Sequence, residues 1–125
     1  MGANFSDLVH RSPDSSQILL TFHSTAKWKA YFDAYKETNK LMVIDFMATW
    51  CIPCKYTEPV IRECAAKYTD VEFIKLDVDE LMEVAQAFQV QVLPTIILIK
   101  NGKVVEKVIG PKREELQKLI EKHRN

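Results

Sequence analysis

Two cysteines three positions apart, Cys51 and Cys54, follow an apolar run at residues 41–46 and open a stretch with helical periodicity. That placement suits thiol chemistry. The thiolate, not the thiol, attacks a disulfide, and a helix N-terminus favours negative charge through its unpaired N–H groups and dipole. A second thiol one turn along can close a small disulfide ring. Position assigns the roles: Cys51, at the helix start, is the expected nucleophile, and Cys54 the expected resolving thiol. Pro53 suits the first helical turn, where its missing N–H costs little. The same spacing is also half of a structural zinc site. The further ligands are scarce, however: Cys64 is the one other cysteine, and His10, His23 and His123 are scattered over the chain. Dithiol–disulfide exchange is the favoured chemistry, with no metal.

Other residues bear on that pair. Asp45 is a carboxylate inside a run that otherwise reads as buried. Desolvation raises a buried carboxyl's pKa, so Asp45 is a candidate to exchange a proton with Cys54 near neutral pH, directly or through water. The plain alternative is an ionised Asp at a solvated strand end. Lys75, in the neighbouring strand candidate, is placed to temper that charge. Trp50 precedes the nucleophile and suits either a core or a substrate platform. Pro94 follows Leu93 at a strand entrance, where an X-Pro bond can be cis. Cys64 lies ten positions beyond Cys54, roughly 15 Å along one helix at ~1.5 Å per residue. A disulfide needs Cα atoms within about 7 Å, so Cys64 is read as a small buried hydrophobe.

The chain that must position these groups has 125 residues, enough for one domain with a real core. Hydrophobic residues make up 47% and charged residues 27%, which indicates a soluble globular protein. Lys+Arg and Asp+Glu both number 17, so there is no basic surplus of the kind a nucleic-acid partner demands. No apolar stretch approaches the ~20 residues that span a bilayer. Three cysteines, an odd number, do not make a disulfide framework, and a reducing, cytoplasmic compartment fits best. No signal peptide is evident. The start, Met1-Gly2-Ala3-Asn4-Phe5-Ser6, matches the N-myristoylation pattern and makes Gly2 a lipidation candidate. One such chain without a polybasic run gives only weak, reversible membrane attachment.

Residues 1–16 are polar and read as a flexible N-terminal extension; residues 17–125 form the folded domain. A strand is expected at 18–22 and a helix capped by Ser24 or Thr25, in which Trp28, Tyr31, Phe32 and Tyr35 make one stripe. The run 41–47 reads as a strand buried on both faces. A helix at 51–68 should bend at Pro59. Strands at 71–78 and 96–100 bracket a short helix at 81–88. Asn101-Gly102 signals a hairpin into 103–109, and Gly110-Pro111 ends it before the last helix. The order is β-α-β-α-β-α-β-β-α. Helical crossovers predict parallel strands, with the terminal hairpin adding an antiparallel one.

The pieces Asp45-Phe46-x-Ala48-x-Trp50-Cys51-x-Pro53-Cys54-Lys55, Pro59, Lys75-Leu76-Asp77-Val78-Asp79, Pro94-Thr95, Asn101-Gly102 and Gly110 together resemble the thioredoxins. The likeness extends from about Phe22 to the C-terminus and is specifically to the plant h-type group with an N-terminal extension. It implies an α/β thioredoxin fold, a central mixed five-stranded sheet flanked by helices. It implies a cis Pro94 facing the pair, a Leu93 backbone offered to an extended substrate, and docking on Trp50, Pro94 and Gly110 around Cys51. It implies a monomer that reduces disulfides of target proteins with no bound cofactor. Its own redox-active disulfide would be re-reduced by an NADPH-dependent thioredoxin reductase or a glutaredoxin system. Two positions depart from the pattern. Ile52 stands where the family usually has Gly, adding apolar area beside the nucleophile. Met47 stands where many relatives carry Trp or a small polar residue. The rival readings are a disulfide isomerase or oxidant, a holdase-type binding module, and a dimerising or sensing role for Cys64.

Overall fold

In the computed structural model, residues 19–125 are described. The expected extension at 1–16, Gly2 within it, and Ile18 lie outside the described residues. Nine elements follow in the expected order: β1 (Leu19–Phe22), α1 (Thr25–Tyr35), β2 (Leu41–Met47), α2 (Ile52–Lys67), β3 (Glu72–Asp77), α3 (Met82–Ala87), β4 (Thr95–Lys100), β5 (Lys103–Ile109) and α4 (Arg113–His123). The strands form one mixed sheet in the order β1-β3-β2-β4-β5.

β2 is central because its apolar run is covered on both faces, and only its last residue, Met47, is partly exposed. Side chains alternate across a strand. Met42, Ile44 and Phe46 join the core layer with Trp28 and Tyr31 of α1 and Val84 of α3. Leu41 and Val43 join the opposite layer with Ile61, Cys64 and Ala65 of α2 and Leu116 and Ile120 of α4. Asp45 shares the parity of the second set, so it belongs to the α2 side of the sheet. The aromatic stripe of α1 packs as expected: Trp28 and Tyr31 are buried, while Phe32 and Tyr35 flank them half-buried. Ser24 is the N-cap, and its hydroxyl accepts from the Lys27 N–H at 3.3 Å.

Strand direction corrects one expectation. β1 and β2 pair with β3 in parallel, but β4 runs antiparallel to β2 although a helix precedes it. A parallel return needs a helix that crosses back along the sheet, and the six-residue α3, about 9 Å long, does not do so. The chain re-enters the sheet from the end where β3 left it. The hairpin forms as the sequence indicates: Asn101 (φ 53°) and Gly102 (φ 78°) both have positive φ, the geometry of a two-residue type I′ turn. Beyond it, Val105 is an extra residue in β5, since Leu98 faces Glu106 while Ile99 faces Val104. α2 continues through Pro59, which lies on its exposed side. The carbonyl of Lys55, deprived of its donor there, belongs to an exposed residue.

Phe46 has no exposed surface and joins α1 and α3 to the sheet, packing its ring 5.7 Å from that of Phe88. Phe46→Ala should cost about 3–5 kcal/mol in a urea titration. A loss under about 1 kcal/mol would show that this layer collapses around the hole or was never tightly packed.

Candidate active site

The chain leaves β2 at Met47 and turns directly into α2. The Met47 carbonyl accepts from the Val78 N–H at 2.9 Å, and the Ala48 carbonyl accepts from the Cys51 N–H at 3.1 Å. These bonds hold Cys51 as the N-cap of α2, with extended backbone (φ −84°, ψ 111°). Its Sγ accepts from the Cys54 N–H at 3.2 Å. An orphan donor of the helix start is thus aimed at the first sulfur, the arrangement that stabilises a thiolate there. Cys51 and Cys54 are joined as a disulfide across a Cα separation of 5.4 Å. Pro53 falls at the second helical position rather than the first, still within the turn whose N–H groups have no helical partner. The pair packs with Ala48, and Met47, Val78 and Leu93 lean on that cluster. Met47 therefore supplies an apolar wall beside the sulfurs.

A cleft of about 460 Å³ opens beside the disulfide. Trp50, Cys51, Ile52 and Pro53 form one wall, and Val78, Val90, Gln91 and Leu93 lie across from them. Trp50 is 66% exposed and Ile52 64%, so both present apolar surface to solvent. Trp50 is fixed by donating its Nε1–H to Asp79 Oδ2 at 2.8 Å. The Leu93–Pro94 bond is cis. Leu93 lines the cleft; Pro94 and Gly110 do not. They are tied to each other instead, since the Gly110 N–H donates to the Pro94 carbonyl at 3.1 Å. Gly110 sits at φ +91°, a conformation other residues rarely adopt, and this lets β5 end against the Pro94 loop.

Beneath the sheet surface, Asp45 is 2% exposed, and its Oδ1 has no hydrogen-bond partner. Burial pushes its carboxyl up to about 7; the Glu58 charge adds to the rise and the Lys75 charge opposes it. Lys75 stands opposite Asp45 in the β2–β3 register. Its ammonium, however, donates to both carboxylate oxygens of Glu58, each at 3.3 Å. Sequence reasoning missed Glu58. The signal was present: Glu58 follows Cys54 by four positions, which puts it on the same side of α2 one turn later. Cys64 is fully buried, and burial lifts its thiol to about 11. A dimerising or sensing thiol must be reachable and easily ionised, so that rival loses its footing. Among the described residues, no cluster of three or more His, Cys, Asp or Glu is arranged to hold a metal ion.

A dithiol at a helix N-cap, a buried acid in the preceding strand and a cis X-Pro loop at the cleft define a thiol–disulfide oxidoreductase. The thioredoxin family model matches residues 20–122. Thioredoxin H2 of Arabidopsis thaliana is 50% identical over 106 residues, covering 85% of this chain and 80% of that one. Thioredoxin H7 of the same plant is 44% identical over 128 residues, covering 99% of each. The crystal structure of thioredoxin NaTrxh from Nicotiana alata matches with a TM-score of 0.83 at 56% identity, over 86% of this chain and 93% of that one. The chain belongs to the thioredoxin family, and its activity is protein-disulfide reduction.

The raised Asp45 carboxyl has a thermodynamic signature. The folded, oxidised state holds this proton more tightly than the unfolded chain does. The resulting stability is fully present below about pH 4 and is lost as pH rises towards 7. Over that window the term is of order 4 kcal/mol. The oxidised Asp45→Asn protein should therefore gain on the wild type by a few kcal/mol between pH 4 and pH 8, read from urea midpoints. An equal gap at both pH values would show that Asp45 is not a buried, proton-holding acid.

Proposed function

We propose that Cys51 is the attacking thiolate, Cys54 the resolving thiol and Asp45 the proton carrier between turnovers. The observation that carries the assignment is the asymmetry of the pair. Cys51 lines the cleft and caps the helix, whereas Cys54 lies one turn inward and does not line it. A substrate disulfide in the cleft meets Cys51 first. The Cys51 thiolate attacks one substrate sulfur, forming a mixed disulfide and expelling the other sulfur as a thiolate that takes a proton from water. The Asp45 carboxylate then accepts the proton of the Cys54 thiol. The Cys54 thiolate attacks Cys51 Sγ, the mixed disulfide breaks, and the second substrate sulfur leaves as a thiolate. Two electrons pass from the dithiol to the substrate, and the protein is left with the Cys51–Cys54 disulfide and a protonated Asp45. A carboxyl raised to about 7 matches that end state.

Trp50, Ile52 and Leu93 make the apolar contact with the target, and Pro94 and Gly110 brace the far side of the cleft. The substrates are target proteins carrying disulfides. The electrons return from an NADPH-dependent thioredoxin reductase or a glutaredoxin system, with no bound cofactor. The working form is a cytoplasmic monomer. Gly2 acylation would add weak, reversible membrane attachment; the Met1-Gly2 pattern supports this. Among the described residues, no helix is long and apolar enough to cross a membrane. An oxidant or isomerase commonly has a basic side chain inside the motif, and Pro53 occupies that slot here.

Cys51→Ser should abolish turnover in an insulin-reduction assay. Cys54→Ser should retain targets as mixed disulfides that migrate together on non-reducing gels. Trapping through Cys54 in the Cys51→Ser protein, and none through Cys51, would reverse the assignment. Ile52→Gly removes an exposed apolar side chain beside the nucleophile. It should change relative kcat/KM among protein disulfides by about five- to thirtyfold, since burying much of one such side chain is worth roughly 1–2 kcal/mol. An unchanged substrate profile and redox potential would leave Ile52 without a role in partner choice.

A further inference from the structure

Lys75 is a cation whose charge acts on the buried acid, and the two residues are direct neighbours in the β2–β3 register. A lysine so placed would ordinarily pair with the carboxylate. It does not: among the described residues its ammonium makes its ion pair with Glu58, while Asp45 Oδ1 is left without a partner. Glu58 engages Lys75 with both oxygens at 3.3 Å. Glu58 is in turn steadied from the next turn of α2, where Arg62 Nε lies 3.0 Å and Arg62 Nη2 2.9 Å from its Oε2. Lys75 and Glu58 are both largely shielded, with side chains 22% and 30% exposed, so their attraction is only partly screened.

We propose that Glu58 is a positioning residue of the exchange reaction: it draws the Lys75 ammonium away from Asp45, so that the buried carboxyl remains a strong enough base to take the proton of Cys54. This rests on the reading of Asp45 as proton carrier. The surroundings leave few other candidates for setting the charge at Asp45. β3 offers Lys75 and α2 offers Glu58 and Cys54, with Arg62 reaching the site only through Glu58. β4 places Ile96 opposite Asp45, and α4 contributes Leu116 and Ile120 to that layer. Thr21 of β1 is the neighbour of Lys75 on its other side and carries no charge. The position of one ammonium between two carboxylates therefore sets the basicity of Asp45. The direction in which Glu58 and Lys75 act on that carboxyl agrees with this division: one raises it and the other lowers it.

The logic is that of a competition. Glu58 is partly solvated and has two cationic partners, Lys75 and Arg62. Asp45 is buried with its Oδ1 unpartnered, and burial favours its protonated form. Without Glu58, Lys75 can turn to Asp45, stabilise its carboxylate and weaken it as a base. The fold is barely involved, since Glu58→Gln keeps the shape of the side chain and its contact with Arg62 is solvent-exposed.

The test is the titration of the Asp45 carboxyl, followed by carbon NMR in the oxidised full-length protein, beside the pH profile of protein-disulfide reduction. In Glu58→Gln the Asp45 midpoint should fall by about one unit or more, as expected when a nearby cation gains access. The acidic limb of the rate profile should move down with it. Adding Lys75→Met to Glu58→Gln should bring both back up, which a merely structural role for Glu58 would not do. An Asp45 midpoint unmoved by Glu58→Gln, in a protein where Asp45→Asn is slow to reduce insulin, overturns this inference and leaves the proton-carrier reading intact. Wild-type turnover in Asp45→Asn overturns both.

Discussion

Burial of β2 on both faces is the constraint on which the site depends. β3 and β4 pair with it along its edges, and helices cover it above and below. Only its C-terminal end is open, and the chain turns there into α2. Because the strand is immobilised by packing, the turn at residues 48–51 has little freedom, and Cys51 is delivered as an N-cap in one orientation. Reactive sulfur chemistry needs that fixity: a thiolate is stabilised by the N–H groups at a helix start only when it is held against them. The cleft then follows from the segments that meet at this end of the sheet, the start of α2, the end of β3 and the loop before β4.

The same burial makes Asp45 costly and useful. A carboxylate removed from water is unfavourable, and burial raises the Asp45 carboxyl to about 7. Lys75, the register neighbour of Asp45, pairs with Glu58. An acid of that strength suits both holding and releasing a proton near neutral pH. A fully satisfied Asp45–Lys75 pair would be a better structural element and a poorer proton acceptor. Burial of Cys64 raises its thiol to about 11, which disfavours the reactive thiolate at neutral pH.

Much of this was readable in the chain. The continuous apolar run at 41–47 marked the central strand, because only a strand covered on both faces loses its alternation. Asp45 stood out against that run. Asn101-Gly102 fixed the hairpin, because positive φ at two successive positions selects those residues. Ser24 and the aromatic stripe delimited α1. What could not be read were facts of length and of distance in space. β4 was expected to follow the parallel pattern, and it runs antiparallel to β2, because the short α3 does not cross back along the sheet. The docking group was expected on Trp50, Ile52, Leu93, Pro94 and Gly110; the cleft is walled by Trp50, Ile52 and Leu93 together with Val78 and Val90, and Pro94 and Gly110 are bonded to each other.

The sequence by itself determined the chemistry: two thiols one helical turn apart after an apolar strand, and an acid in that strand, are local features whose meaning comes from residue type, spacing and periodicity. Only the tertiary structure decided which charge answers which. Asp45, Glu58 and Lys75 come from three elements, and their pairing depends on strand register, on the rotation of α2 over the sheet and on how far each side chain reaches. Electrostatic energies in a low-dielectric interior change steeply over an ångström or two, and no pattern along one dimension encodes those distances.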